Sequence, residues 1–182
     1  MEQSNRTRIS TRRLTMNAAF IAIYVVLDMF SIYIGNYIKL SFAAFPLLVA
    51  AILFGPIDGV IVAGVGEFIY QMLMYGMGPT TVIWMIPPMV HALVAGLMAK
   101  KYGGSLSMRQ AGVVVLVSGL IAAVLTTGSI YLDAKFWGYD SGLTAIVILF
   151  RFVNALIMCA IYTVVAPRTL QLLMRIVKPK AA

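Results

Sequence analysis

The sequence has one cysteine, Cys159, one histidine, His91, and six acidic residues in a chain of 182. A single thiol inside an apolar run leaves neither an intrachain disulfide nor a cysteine metal site. With one histidine there is no His-Glu-x-x-His helix, no metal-ligand spacing and no Ser-His pairing suited to nucleophilic catalysis. A Gly-x-x-x-x-Gly-Lys loop is missing too, so the chain does not hydrolyse ATP by that means. No internal repeat supplies the two rocking halves of a free-standing secondary transporter. The expectation is a protein without enzymatic activity, metal or cofactor of its own.

Charge is also scarce: 11% of residues are charged and 62% hydrophobic, against roughly a quarter and a half in soluble domains. That composition makes an integral membrane protein. The net charge of +8 sits in short clusters at the ends of apolar runs, the pattern of orientation signals, and argues against a nucleic-acid partner. The polar tail 1–13 carries Arg6, Arg8, Arg12 and Arg13. The apolar stretch behind it has no small-residue cleavage site and is read as retained.

Six apolar runs follow, at about 14–34, 45–54, 57–75, 87–101, 111–130 and 143–166. The second is short for a crossing of about 20 residues, so it either begins near Leu40 or is shielded by neighbours. Phe54-Gly55-Pro56-Ile57-Asp58-Gly59 joins it to the third through so tight a turn that the two must lie antiparallel. The fourth opens on Pro87-Pro88, tolerated where first-turn amides have no partners. Residues 35–44 and 131–142 read as loops on the outer side, and 168–182 as an amphipathic tail. Of fourteen Lys and Arg, eleven fall on one side, Lys39 and Lys135 on the other, and Arg151 within the layer. The expected architecture is therefore all-α: a single domain over 1–182 of six transmembrane helices with both termini cytoplasmic.

Ionisable residues inside the apolar layer are costly and mark functional sites by default. Glu67 and Arg151 each lie roughly 12 Å deep, and His91 and Asp28 on the order of 8 to 9 Å, at about 1.5 Å of rise per residue. All four fall in the outer half on four helices, which points to a water-accessible pocket opening outward. Nothing comparable lines the inner half. Glu67 and Arg151 are expected either to pair or to stand apart and grip a polar ligand. Asn154, three residues beyond Arg151 on the same face, could bond ligand amides. His91 is either a helix-contact histidine or a ligand contact, and Asp28 is expected to cap its helix or bond Tyr24 or Tyr33. Tyr33, Tyr70, Trp84, Tyr131 and Trp137 would offer flat stacking surfaces or form an interfacial belt. From the first outer loop, Asn36 and Lys39 join the candidate ligand contacts.

Several of these features occur together in one known family. A basic tail precedes Ala18-Ala19-Phe20-Ile21-Ala22, Phe45-Pro46 opens the second span, the Gly-Pro-Ile-Asp-Gly turn follows, and Gly64 to Glu67 lie in the third. In this the chain resembles the substrate-binding S components of energy-coupling factor (ECF) transporters, small six-helix proteins that capture vitamins. The resemblance implies a multi-pass protein of the bacterial plasma membrane, with Ala18 and Ala22 packing against a transmembrane coupling subunit that carries two ATPase subunits. It further implies that 35–44 gates the pocket and that the protein topples in the bilayer to deliver its ligand inward. Thr80-Thr81 and Trp84 before Pro87-Pro88 look closest to cobalamin-type members. With Arg151 and Lys39 as the pocket's only cations, a folate with two carboxylates is less well served. A corrinoid is the favoured ligand, folate or pantothenate the alternative, and a structural membrane protein without ligand the reading from another class.

Overall fold

The six apolar runs fold as six helices in a computed structural model that describes residues 11–34, 38–103 and 106–177. They are α1 (Thr11–Met29), α2 (Ala44–Phe54), α3 (Pro56–Met74), α4 (Thr81–Lys101), α5 (Met108–Trp137) and α6 (Ala145–Val177). The expected all-α class holds apart from one short hairpin between α1 and α2, in which β1 (Ile32–Ile34) pairs antiparallel with β2 (Ile38–Leu40). Tyr33 faces Lys39 in its register. Ile-Tyr-Ile and Ile-Lys-Leu are β-branched and aromatic segments that suit an extended backbone, so α1 stops at Met29 rather than near residue 34.

Pro56–Met74, Thr81–Lys101, Met108–Trp137 and Ala145–Ala166 are each long and apolar enough to cross a membrane. The other two helices differ for visible reasons. α1 carries Arg12, Arg13 and Asp28, and α2 has only 11 residues. α2 begins at Ala44, and its residues Pro46 to Ile52 are all buried. Of the two explanations for its length, shielding by neighbours is the one the structure adopts.

Gly55 between α2 and α3 has φ +108°, a conformation that a residue with a Cβ rarely takes. Pro56 then opens α3, where its missing N–H costs nothing. This turn is tied to α1. Arg13 bonds the Asp58 carboxylate through two nitrogens and also donates to the Phe54 carbonyl, while Asn17 Nδ2 donates to Asp58 Oδ1 at 2.6 Å. Arg13 thus joins three helices at the end of the bundle away from the hairpin.

Three further boundaries differ from expectation. α4 begins at Thr81, so Pro87 and Pro88 lie inside it. Pro87 has no N–H for the carbonyl of Ile83, and Ser129 Oγ on α5 donates to that oxygen at 3.1 Å. α5 continues to Trp137, through residues assigned above to an outer loop, because nothing breaks it before Gly138 closes it in the left-handed conformation. α6 runs on past position 167. A proline there removes one helical hydrogen bond, which weakens a helix without compelling it to stop.

α3 and α4 are adjacent, as are α4 and α5, and α5 and α6, while α1 and α2 both lie against α3. The α1–α3 contact is close: a Cβ on Gly66 would come within 2.6 Å of the Tyr24 ring. Only a hydrogen at that position lets Tyr24 reach its neighbour in sequence, Glu67.

Candidate functional site

At the hairpin end the helices leave a cavity of about 780 Å³. α5 shows how sequence spacing builds its wall. Ala122, Thr126, Ile130, Asp133 and Trp137 line it, recurring every three or four residues, as one face of a helix must. Tyr131 lies about 100° around the helix from Ile130. It is 55% exposed and does not line the cavity, which corrects its place among the stacking residues.

Glu67, His91 and Arg151, from α3, α4 and α6, all line this one cavity. Asp28 does not. It sits behind the hairpin, accepting from Lys39 Nζ at 2.8 Å and Ser41 Oγ at 2.7 Å. Its expected partners Tyr24 and Tyr33 are engaged elsewhere, Tyr33 with the hydroxyls of Tyr70 at 2.9 Å and Tyr75 at 3.3 Å. Lys39 lies 4.1 Å from the centroid of the Tyr70 ring, a cation held against an aromatic face.

The expected Glu67–Arg151 ion pair gives way to a different arrangement. Tyr24 donates to Glu67 Oε2 at 2.8 Å and Gln71 to Oε1 at 2.7 Å, while Arg151 Nε donates to Thr127 Oγ1 on α5 at 3.3 Å. Each carboxylate oxygen has a neutral donor, and among the described residues no cation bonds the acid directly. Equal depth on two helices says nothing about the angle at which their side chains meet.

Among the described residues, two buried polar atoms of cavity-lining side chains have no partner, His91 Nε2 and Asn154 Oδ1. Such atoms are rare in folded proteins and each calls for a reason. Tyr33, Lys39, Tyr70, Trp84, Trp137 and Asn154 line the cavity with them. Asn36 lies outside the described residues. Ala18 and Ala22 are exposed on the outer face of α1, away from the cavity.

Sequence reasoning missed several lining groups. Gln71 is one helical turn from Glu67, and that spacing was a usable signal. Asp133 and Tyr139 were visible only as loop residues, yet Tyr139 donates to Asp133 Oδ2 at 2.5 Å. Partial burial of the hydroxyl and this bond push the Tyr139 phenol up to about 12. Across the mouth, Trp137 Nε1 donates to Thr80 Oγ1 at 3.3 Å. Among the described residues, no group of three His, Cys, Asp or Glu could hold a metal ion.

A family model described as "ECF transporter, substrate-specific component" matches residues 12–170. The fold is similar to the structure of the S component of a bacterial ECF transporter, with a TM-score of 0.66 at 20% identity over 90% of this chain and 98% of that one. It is also similar to FolT bound with folic acid, with a TM-score of 0.62 at 19% identity over 90% and 95%. Among curated proteins, none matches the chain in sequence.

Proposed function

This chain belongs to the family of ECF transporter substrate-specific components, and from that premise we propose that it captures a vitamin-sized ligand in the cavity beside the hairpin. The observation that carries the reading is the meeting of Glu67, His91 and Arg151, from three helices, at one hollow. Ionisable side chains at membrane depth are costly unless they face water, a partner or a ligand. A volume of about 780 Å³ falls within the range of roughly 300 to 1,000 Å³ typical of sites for drug-sized molecules.

The lining narrows the ligand. Tyr33, Tyr70, Trp84 and Trp137 offer aromatic faces, and acids and bases of both signs stand among them. A flat ring system with polar arms and little net charge suits such walls. Of the readings raised by the sequence, the volume favours a folate- or pantothenate-scale molecule. A corrinoid is far larger than a drug-sized ligand and would project through the mouth. Lys39 already pairs with Asp28, which leaves Arg151 as the lining cation that a ligand carboxylate would meet.

Orientation and partners complete the proposal. Cytoplasmic termini, argued from the distribution of Lys and Arg, put the cavity mouth outside. The exposed Ala18 and Ala22 leave a face of small side chains on α1 that a helix of a coupling subunit can approach closely. ATP hydrolysis belongs to separate subunits carried by that partner, and the resemblance adds toppling as the means of delivery.

The test is thermal unfolding of the detergent-solubilised protein with folate, pantothenate, riboflavin and cobalamin in turn. A ligand that binds only the folded state at a hundred times its Kd stabilises by about 2.7 kcal/mol, a clear rise in midpoint. A rise with cobalamin alone restores the corrinoid reading. No rise with any of them, in a protein that unfolds cooperatively, removes the vitamin-receptor reading and leaves a structural role.

A further inference from the structure

We propose that Thr80 is a positioning residue that sets the plane of the Trp137 indole as a stacking face, and that the ligand presents a fused, electron-poor heteroaromatic ring to it. The inference rests on the reading of the cavity as a ligand site and concerns which part of a ligand that site selects. The chain has two tryptophans, Trp84 and Trp137, and both line the cavity. Both also meet Thr80. Trp84 donates its main-chain N–H to the Thr80 carbonyl at 3.3 Å where α4 starts, and Trp137 Nε1 donates to Thr80 Oγ1 at 3.3 Å.

An indole N–H can only donate, so the direction of the second bond is fixed. A Cβ on Gly78 would lie 4.0 Å from Cζ2 of the same ring. Nε1 and Cζ2 share one edge of the indole, so the loop between α3 and α4 grips the ring by that edge and leaves its faces clear. Among the described residues the one ring packed on the indole, Phe136, stands at 82° to it with centroids 5.3 Å apart, so no ring of the protein lies parallel to it. The main chain is fixed on both sides. Gly78 N–H donates to Thr81 Oγ1 at 3.0 Å, and beyond Trp137 the helix closes at Gly138 while the Tyr139 hydroxyl returns to Asp133. What is left to Trp137 is rotation of its side chain, and the bond to Thr80 fixes that. An indole serving only as an interfacial anchor would turn its N–H to water and headgroups, whereas this one turns it to a threonine that is 7% exposed. The indole itself is 57% exposed, within reach of a ligand. Aromatic rings prefer offset stacking with complementary charge distributions, and the electron-rich indole is best matched by an electron-poor heterocycle. An aliphatic ligand gains no such contact.

The test uses the full chain in detergent and follows tryptophan emission while folate, riboflavin and pantothenate are titrated in turn. Folate and riboflavin carry fused heteroaromatic rings, and pantothenate has none. A ring-bearing molecule is expected to bind and to quench the emission. Thr80→Val keeps the shape and the main-chain bonds but loses the hydroxyl, so that binding is expected to weaken about two- to tenfold, the scale of one aromatic pair, with a smaller quench at saturation. Thr80→Ser is expected to restore both. Trp137→Phe keeps a ring without the N–H and is expected to weaken binding as well, and adding Thr80→Val to it to change affinity no further. A purely structural Thr80 would shift the unfolding midpoint and leave the saturating quench unchanged. Wild-type affinity and quench in Thr80→Val overturn the proposal, as do a Thr80→Ser that behaves like Thr80→Val and additive losses in the double variant. If Thr80→Val fails to fold, Trp137→Phe decides, and wild-type affinity for the ring-bearing molecule in that variant overturns the proposal. Binding of pantothenate alone sinks this proposal and spares the receptor reading. Binding of none of the three sinks it too, and the cobalamin arm of the earlier panel then decides whether the receptor reading falls with it.

Discussion

Tyr24 on α1 donates its hydroxyl to Oε2 of Glu67 on α3 across 2.8 Å, and both side chains are buried. The bond exists because Gly66 lets the Tyr24 ring lie flat against α3. Tyr24→Phe leaves a buried carboxylate oxygen without its donor, at an expected cost of about 1 to 3 kcal/mol. In a Glu67→Ala background the same change is expected to cost clearly less. A double-mutant cycle of detergent unfolding measures the difference, and equal costs in both backgrounds would show that the bond contributes nothing.

Ser129 stands in for a helical amide that Pro87 lacks, by donating to the Ile83 carbonyl. Ser129→Ala is expected to destabilise by about 1 kcal/mol, near the upper part of the range for hydrogen bonds between membrane helices. Pro87→Ala supplies an N–H to the same carbonyl, so adding Ser129→Ala to it is expected to cost little. Unfolding of the two single variants and the double variant tests the compensation.

Arg13 and Asp58 bind α1 to the α2–α3 turn. The Arg13 side chain is 42% exposed and Asp58 only 6%, so solvent screens one end of the pair. Arg13→Ala leaves the buried acid with Asn17 as its remaining partner among the described residues and is expected to cost about 1 to 3 kcal/mol, less than the loss of a partner from a fully buried pair. The effect shrinks as salt is raised. An unfolding series in increasing salt that shows no convergence of variant and wild type contradicts this account.

Tyr139 titrates near 12 in the folded protein against about 10 for an ordinary phenol. The native chain therefore keeps this proton where the unfolded chain has released it. Its contribution to stability is complete below about pH 10 and is lost as pH rises through about 12. Asp133→Ala, which removes the acceptor, is expected to move the titration back towards the ordinary value. Alkaline absorbance difference spectra against Tyr139→Phe follow this group alone.

Ala22 is exposed and touches none of the bonded clusters. Ala22→Leu is expected to leave the unfolding midpoint within about 0.5 kcal/mol of wild type and ligand binding intact, while reducing uptake and recovery of the protein with a coupling subunit. Normal uptake by the variant would move the docking face elsewhere.

Legibility of the fold followed the range of the signal. Apolar runs, the Gly55-Pro56 turn and the shortness of α2 are local features, and all reappear in the helices. The hairpin was hidden because six residues in two strands give too short a pattern to separate from a loop. α5 was cut short because Asp133 and Lys135 look like surface residues, although one helical face carries Asp133 into the cavity.

By itself the sequence determined membrane residence, six helices and a gathering of polar side chains towards one end of the layer, because hydropathy and depth add up residue by residue along a helix. Only the tertiary structure decided the partners: Glu67 with Tyr24 and Gln71, Asp28 with Lys39, Asn154 with the hairpin, and Tyr131 turned away. Of these bonds, Tyr24 to Glu67 spans 43 positions and Asn154 to Lys39 spans 115. The rotation of each helix about its axis selects which side chains meet, and packing against neighbours sets that rotation.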